Sequence, residues 1–396
     1  MPRQLDIERN YASGFTFPPI DSSKQQIRLI RILPSSTGSL INCEFVISTA
    51  DVAHSLPYSA LSYTWGAATL GQDINKIILH GHIFWIRKNL WNFMDYERLQ
   101  PYQKLFWVDA CCINQTESDS ASIREKNHQV TLMRHIYHRA VEVVIWLGKP
   151  PQDLEWQLDH LYAFLDSSWS GGELPEYDIC DLRAFGYLWS KPYWRRVWIV
   201  QEILMAKRII LRCGNFKFEW HWFVQFYEKI HKEDKTTLNR RPMFGGINVL
   251  LRPTSTLPEI YPSYFPRKTS QIWDFTIESI VVEFRNQECL NPLDKIYGFL
   301  GLLNDHVIDP DYNKTTVQLY NDIMRFGIIF ITNNDVTYPG RAIRIARLRY
   351  YLKETLHLSP LEVKDVEGSL EKDTKMDFKT LDDISLSLYS EKGCPE

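Results

Sequence analysis

The chain has 396 residues, a formal net charge of −3, 44% hydrophobic residues and 23% charged residues. That length supports one large domain or two modest ones. The small net charge excludes the basic excess of a dedicated nucleic-acid binder, so no nucleic-acid partner is expected. No apolar run reaches about 18 residues, so no membrane span is expected. The opening MPRQLDIERNYASG lacks the apolar core of a secretory signal.

The seven cysteines, Cys43, Cys111, Cys112, Cys180, Cys213, Cys289 and Cys394, form no C-x-x-C pair. Reduced thiols in a cytosolic or nuclear protein are expected, with the cytoplasm as the assigned compartment. His128, His135 and His138 could share part of one helix face, but no neighbouring Cys or second spaced pair completes a ligand set. No metal and no cofactor are therefore expected. Twelve of the 13 tryptophans lie between Trp65 and Trp222, which marks that window as packed core; the last is Trp273.

In chain order, strands are predicted at Ile27–Leu33 and Ile41–Ile47, separated by a turn through Pro34, Ser35, Ser36 and Gly38. A third covers Tyr58–Trp65 and closes at Gly66. Lys76–Ile86 reads as a hairpin turning at Gly81, and Asn89 as the cap of a short helix carrying Leu90, Phe93 and Met94. Leu105–Ile113 and Val141–Leu147 are nearly continuous apolar runs, the pattern of strands buried on both faces. The helical spacing over Ser122–Ala140 joins them into a β-α-β crossover. Asp153–Leu165 is an amphipathic helix, Ser167–Pro175 a loop, Tyr193–Lys207 a helix and Arg208–Cys213 a further core strand.

These elements make residues 58–230 an α/β domain with a mainly parallel sheet flanked by helices. Residues 1–57 supply strands packing on that core. Residues 231–360 form a mostly helical extension. It opens with a polar excursion over 232–270 that holds five prolines and continues with helices at Ile272–Phe284 and Pro292–Leu303. Arg341, Arg344, Arg347, Arg349 and Lys353 read as a solvated helix face. Residues 361–396, with ten acidic residues against five lysines, read as a flexible acidic tail.

Ligands of open parallel sheets bind beyond the carboxyl ends of the strands. Three polar clusters fall there or close by: Ser62, Tyr63, Thr64, Trp65 and Gly66; Asp109 with Asn114 and Gln115; and Arg195, Arg196, Trp198, Gln201 and Glu202. Asp109 sits in an apolar run, where a carboxylate needs a partner. A buried ion pair with Arg195 or Arg196 would satisfy it as well as a ligand-binding role. Glu202 follows Trp198 by four residues, one helical turn, and an ordinary ion pair is its plain structural reading. The chain has no glycine-rich phosphate loop and no G-x-S-x-G elbow.

At these clusters the sequence resembles the fungal heterokaryon-incompatibility (HET) domain. The motifs are YSALSYTWG at Tyr58–Gly66, FWVDACCINQ at Phe106–Gln115 and YWRRVWIVQEILMAK at Tyr193–Lys207. Weaker matches extend the resemblance over roughly residues 27 to 325. Members of that family trigger cell death when genetically different fungal cells fuse. The HET domain in turn resembles the Toll/interleukin-receptor (TIR) domain, a flavodoxin-like parallel sheet some of whose members cleave NAD. There the catalytic glutamate follows a tryptophan by four residues, the spacing of Trp198 and Glu202.

The resemblance implies a TIR-like fold with long insertions, the largest over Lys149–Pro192, and a helical C-terminal extension. It implies a cell-death effector that hydrolyses NAD as substrate, with Glu202 catalytic. Ser62, Tyr63, Trp65, Gly66, Asp109, Asn114, Gln115, Arg196 and Trp198 would bind substrate. The implied partner is a second copy of the chain or an upstream sensor protein. The alternative is a non-enzymatic death-signalling or oligomerisation adaptor of the same fold.

Overall fold

The computed structural model describes residues 4–34, 40–51, 55–116, 119–167, 176–234, 275–303, 307–334, 340–374 and 376–390. The expected turn at Ser35–Gly38, the loop over 168–175, excursion residues 235–270, Trp273 and Cys394 lie outside them. The chain divides into two compact units. The first comprises residues 1–194 and 202–268, the second 195–201 and 269–396.

The first unit opens with α1 (Leu5–Ala12), β1 (Gln26–Ile32), β2 (Asn42–Thr49) and β3 (Ser59–Tyr63). β4 (Ile74–Leu79) and β5 (His82–Arg87) form the expected hairpin. Its two-residue turn places both His80 and Gly81 at positive φ, the geometry that suits the right-handed twist of paired strands. There follow α2 (Lys88–Glu97), β6 (Leu105–Trp107), α3 (Asp109–Cys112), α4 (Ser120–Arg139) and β7 (Glu142–Trp146). The unit continues with α5 (Glu155–Ser167), α6 (Ile179–Trp189), the C-terminal half of α7 (Ile199–Leu204), β8 (Ile209–Cys213), β9 (Phe216–Glu219) and α8 (Trp220–Asp234).

Among the described residues all nine strands join one sheet, in the order β5-β4-β2-β1-β6-β3-β7-β8-β9. The four strands expected to form the parallel core are adjacent and parallel: β3 pairs with β6 and β7, and β7 with β8. Numbered by their own chain order, they run 2-1-3-4. The sheet as a whole is mixed rather than mainly parallel, because β1–β2, β1–β6, β4–β5 and β8–β9 are antiparallel. For β4–β5 and β8–β9 the cause is connection length. Tight turns such as those at Gly81 and Gly214 can only join antiparallel strands, whereas the long crossovers return the chain in parallel. The N-terminal strands extend this sheet through the β1–β6 pairing.

At one edge of the sheet, the Asn10 amide donates to the Trp85 carbonyl at 2.9 Å and accepts from the Trp85 N–H at 2.7 Å. A side chain from α1 thus satisfies both backbone groups of one residue on the outer strand β5.

Two elements differ from expectation. The run 105–113 is a three-residue strand followed by the helical turn α3. The amides of Cys111 and Cys112 return to the Val108 carbonyl, and the Asp109 carboxylate takes the Ala110 N–H at 2.7 Å. Cys111, Cys112 and Ile113 are buried either way, so an apolar run alone could not separate strand from helix. The expected helix over 193–207 is broken into a 3₁₀ turn at Pro192–Arg195 and α7. Within the second unit, the Arg195 carbonyl and Val197 amide bond instead to the Glu288 backbone.

The rest of the second unit is helical: α9 (Ile277–Glu283), α10 (Asp294–Tyr297), α11 (Thr316–Asn334), α12 (Gly340–Leu356), α13 (Pro360–Thr374) and α14 (Phe378–Ser390). Gly327 lets α11 approach α12, because a Cβ there would overlap Leu348 Cδ2. The basic stretch on α12 is ion-paired rather than simply solvated. Arg344 meets Glu278 at 2.7 Å, and buried Arg349 is gripped by both Glu367 oxygens at 2.8 Å and by Asp382.

The flexible tail expected over 361–396 is helical as far as Ser390. Val363, Leu370, Phe378 and Leu381 are buried. High charge misled the composition reading because part of that charge is consumed by Arg349.

Burial pushes the Glu367 carboxyl up, but the bonds from Arg349 and Tyr320 outweigh it and hold the group below its usual range. A carboxylate depressed in the folded state contributes stability that is complete above the unfolded value of 4.5 and lost as pH falls through the folded one. Glu367→Gln should therefore cost about 3–5 kcal/mol at pH 7, because Arg349 loses its main counter-charge. Urea unfolding should show that deficit shrinking below pH 4.5.

Candidate functional site

β3 delivers the first cluster. Side chains alternate along a strand, so Ser62 and Tyr63 project to opposite faces. Ser62 is 1% exposed, and its Oγ lies 2.6 Å from the Tyr193 hydroxyl. The Ser62 hydroxyl donates to a Glu202 carboxylate oxygen from α7. Tyr193 and Glu202 are 1% and 2% exposed. A carboxylate, a phenol and a serine hydroxyl thus meet near the carboxyl end of the first core strand, in the interior. Such a chain can hold a negative charge in fixed orientation and place it opposite a developing cation.

The second cluster forms where β3 runs out. Trp65 Nε1 donates to Asp109 Oδ2 at 2.8 Å, and Gln115 Nε2 donates to the Asp109 carbonyl at 3.1 Å. The Arg87 guanidinium lies 4.8 Å from the Trp65 ring centroid, pairs with Asp6 at 2.9 Å and donates to the Gly66 carbonyl at 2.8 Å. Gly66 has φ +81°, a conformation that glycine adopts without strain. Asn114 closes a local turn, its Oδ1 accepting from the amide and hydroxyl of Thr116. Its own amide donates to Glu125, which is held by buried Arg28.

An open cleft of about 420 Å³ adjoins this cluster, lined by Trp65, Gly66, Gln72, Lys88, Asn89 and Asn92 among others. Asn89, expected to cap α2, lies one residue inside the helix and does something else. It donates to the Thr64 carbonyl at 2.7 Å and accepts from Trp146 Nε1 at 2.9 Å. It therefore joins the carboxyl ends of β3 and β7, where the order of the parallel strands reverses. A smaller cavity, with room for about one water, lies between Trp65, Gln115 and Asp6.

The structure therefore brings Ser62 together with Glu202, and Trp65 and Gly66 together with Asp109 and Gln115. Glu202 lines neither of these two cavities. Tyr63 is buried. Arg196 and Trp198 belong to the second unit, where the Arg196 carbonyl accepts from Gln287 at 3.3 Å. Trp198 precedes α7 rather than sharing a regular turn of it with Glu202. The Trp65 indole is one partner of Asp109, and Arg195 faces Glu288 at 3.5 Å.

Burial pushes the Cys112 thiol up to about 12 and Cys111 well above its usual value, so neither is a nucleophile. His128, His135 and His138 are each held below the usual histidine range by burial. Sequence reading missed six residues. Tyr193 lay inside a motif without a role. Lys88 and Asn92 carry no motif. His160, Asp178 and Asp181 form a cluster whose spacing matches no familiar ligand pattern.

Ser62→Ala tests the first cluster. It removes one partner each from buried Glu202 and Tyr193, and should cost about 1–3 kcal/mol in urea unfolding.

Residues 58–202 match the family described as Heterokaryon incompatibility protein (HET). A curated relative, "Heterokaryon incompatibility protein 6, OR allele" of Neurospora crassa, is 28% identical over 351 residues, covering 73% of this chain. The match covers 49% of that protein, so the chain spans about half the length of the relative. No solved structure matches. The matched segment begins beside β3 and ends at Glu202, so the stretch that is similar to the heterokaryon-incompatibility (HET) domain encloses all three motif clusters.

Proposed function

We propose that this chain is a heterokaryon-incompatibility effector whose HET domain hydrolyses the bond between nicotinamide and ribose in NAD. The observation that carries the reading is the Glu202 carboxylate, held by Ser62 on the first core strand of a parallel 2-1-3-4 array. That order is flavodoxin-like, as in the TIR domain, and ligands of such sheets bind at the reversal point. The open cleft at Trp65, Lys88 and Asn89 lies at that point.

The chemistry makes modest demands. Nicotinamide carries positive charge in NAD and leaves neutral, so no strong acid is required. The ribosyl fragment becomes oxocarbenium-like, and a fixed carboxylate beside it lowers the barrier. Glu202 supplies that charge, with Ser62 and Tyr193 fixing its orientation. Trp65 offers a face for stacking. Tyr63, Gly66, Asp109, Asn114 and Gln115 complete the proposed substrate-binding set within the first unit. Asp109 and Gln115 act by holding Trp65 and its loop. The proposed setting is the cytoplasm, with a second copy or an upstream sensor as partner. No helix among the described residues is long and apolar enough to cross a membrane.

The adaptor reading is favoured by a specific observation: Glu202 is 2% exposed and lines neither cavity described above. One variant separates the two. Glu202→Gln keeps size and an acceptor for Ser62 but removes the charge. Under the enzymatic reading, nicotinamide release from NAD by purified protein should fall about 10²-fold or more, with the unfolding midpoint little changed. Under the adaptor reading, wild-type protein releases no nicotinamide and the variant differs only in stability. Undiminished cleavage by a stable variant would remove Glu202 from the mechanism.

A further inference from the structure

α5 and α6 pack against each other in the first unit, within the long insertion between β7 and β8. At one end of this pair, three side chains converge: His160 from α5, Asp178 at the N-cap of α6 and Asp181 one turn into it. One ligand-type atom from each lies within 4.8 Å of the others. We propose that these three residues bind one divalent transition-metal ion of the zinc class, which clamps α5 to α6. The proposal is independent of the reaction suggested above.

The division of labour among the carboxylate oxygens supports it. Asp178 Oδ1 accepts the amides of Cys180 and Asp181, and Asp181 Oδ2 accepts the amide of Asp178. This reciprocal cap satisfies the helix start and fixes both carboxyl groups. The second oxygen of each faces the imidazole, Asp181 Oδ1 hydrogen-bonded to Nδ1 and Asp178 Oδ2 on the Nε2 side, and an ion held by one ring nitrogen would take the place of that hydrogen bond. Asp181 Oδ1 is 3.0 Å from His160 Nδ1, and Asp178 Oδ2 is 3.8 Å from Nε2. Two ligands on a shared ion with bonds of ~2.0–2.1 Å stand ~2.9–3.4 Å apart, so the closer pair is already at coordination spacing.

The charge balance points the same way. The Asp181 side chain is 1% exposed, beside a second carboxylate, and the basic group the structure pairs with either is His160. A divalent ion neutralises both carboxylates. The His160 and Asp178 side chains are 40% and 53% exposed, which gives an ion access from solvent and lets water fill the remaining positions. The Trp156 ring, 5.6 Å from the imidazole, restricts its rotation. One imidazole with two carboxylates suits zinc or manganese better than magnesium or calcium, which prefer all-oxygen sites.

Isothermal titration of EDTA-stripped, dialysed full chain with zinc, manganese and magnesium chlorides tests this, alongside thermal unfolding. Zinc should bind at one equivalent and raise the midpoint, with magnesium at least about tenfold weaker. Asp178→Asn retains a good N-cap, so its metal-free midpoint should match wild type. Its zinc affinity should fall about tenfold or more and the stabilisation should vanish. His160→Ala should do the same. Cys180→Ser, which removes a nearby thiol able to capture zinc adventitiously, should bind as wild type does. Absence of zinc binding would overturn the proposal. So would binding that survives both Asp178→Asn and His160→Ala, or that Cys180→Ser alone abolishes, or equal affinity for magnesium.

Discussion

β3 has neither an open edge nor a wet face. It is hydrogen-bonded to β6 on one side and β7 on the other, and all five of its residues are buried. A polar side chain on such a strand cannot borrow water, and a lost partner costs about 1–3 kcal/mol. Two of the five are serines, and each draws a carboxylate into the interior. Ser59 donates to Glu142 at 3.1 Å, and Ser62 donates to Glu202. The second of these contacts holds Glu202, in the first-unit part of α7, beside β3, with Tyr193 in the same cluster. The most polar part of the HET motif is therefore also a packing requirement.

The same rule operates elsewhere in the molecule. Arg28 is buried with Glu125, Arg87 with Asp6 and Arg212 with Glu97, each tying an element to one distant in sequence. Buried pairs of this kind are weak contributors to net stability but punish the loss of either member. They make the arrangement specific. In the second unit, Arg349 plays this part for the last two described helices, through Glu367 and Asp382.

Much of this was legible in the sequence. The four core strands were visible because continuous apolar runs mark strands covered on both faces, and Gly81 marked the hairpin turn. The residues Ser62, Trp65, Asp109, Gln115 and Glu202 were found through motifs. Their division into two clusters was not, because the Trp65 indole that bonds Asp109 lies 44 positions away, beyond the reach of local spacing. The break before α7 was hidden because its cause is a backbone pairing with Glu288, beyond the reach of local periodicity. The helices after residue 360 were hidden for a related reason. Charge within a segment says nothing about a counter-charge supplied from elsewhere in the fold.

The Asn10 contact with Trp85 bears on how copies of this chain could meet. An outer strand with free backbone groups is a template on which a foreign strand can grow, the usual route to fibrous or swapped assemblies. On β5 that template is interrupted midway by an amide that imitates a neighbouring strand for one residue. The opposite margin, β9, has only four residues and leads directly into α8. Among the described residues neither margin offers a long uninterrupted ladder, which disfavours strand-to-strand association and leaves side-chain surfaces for any contact between copies. Such contacts are reversible and tunable by single substitutions, whereas growth along a sheet margin commits a chain to a polymer.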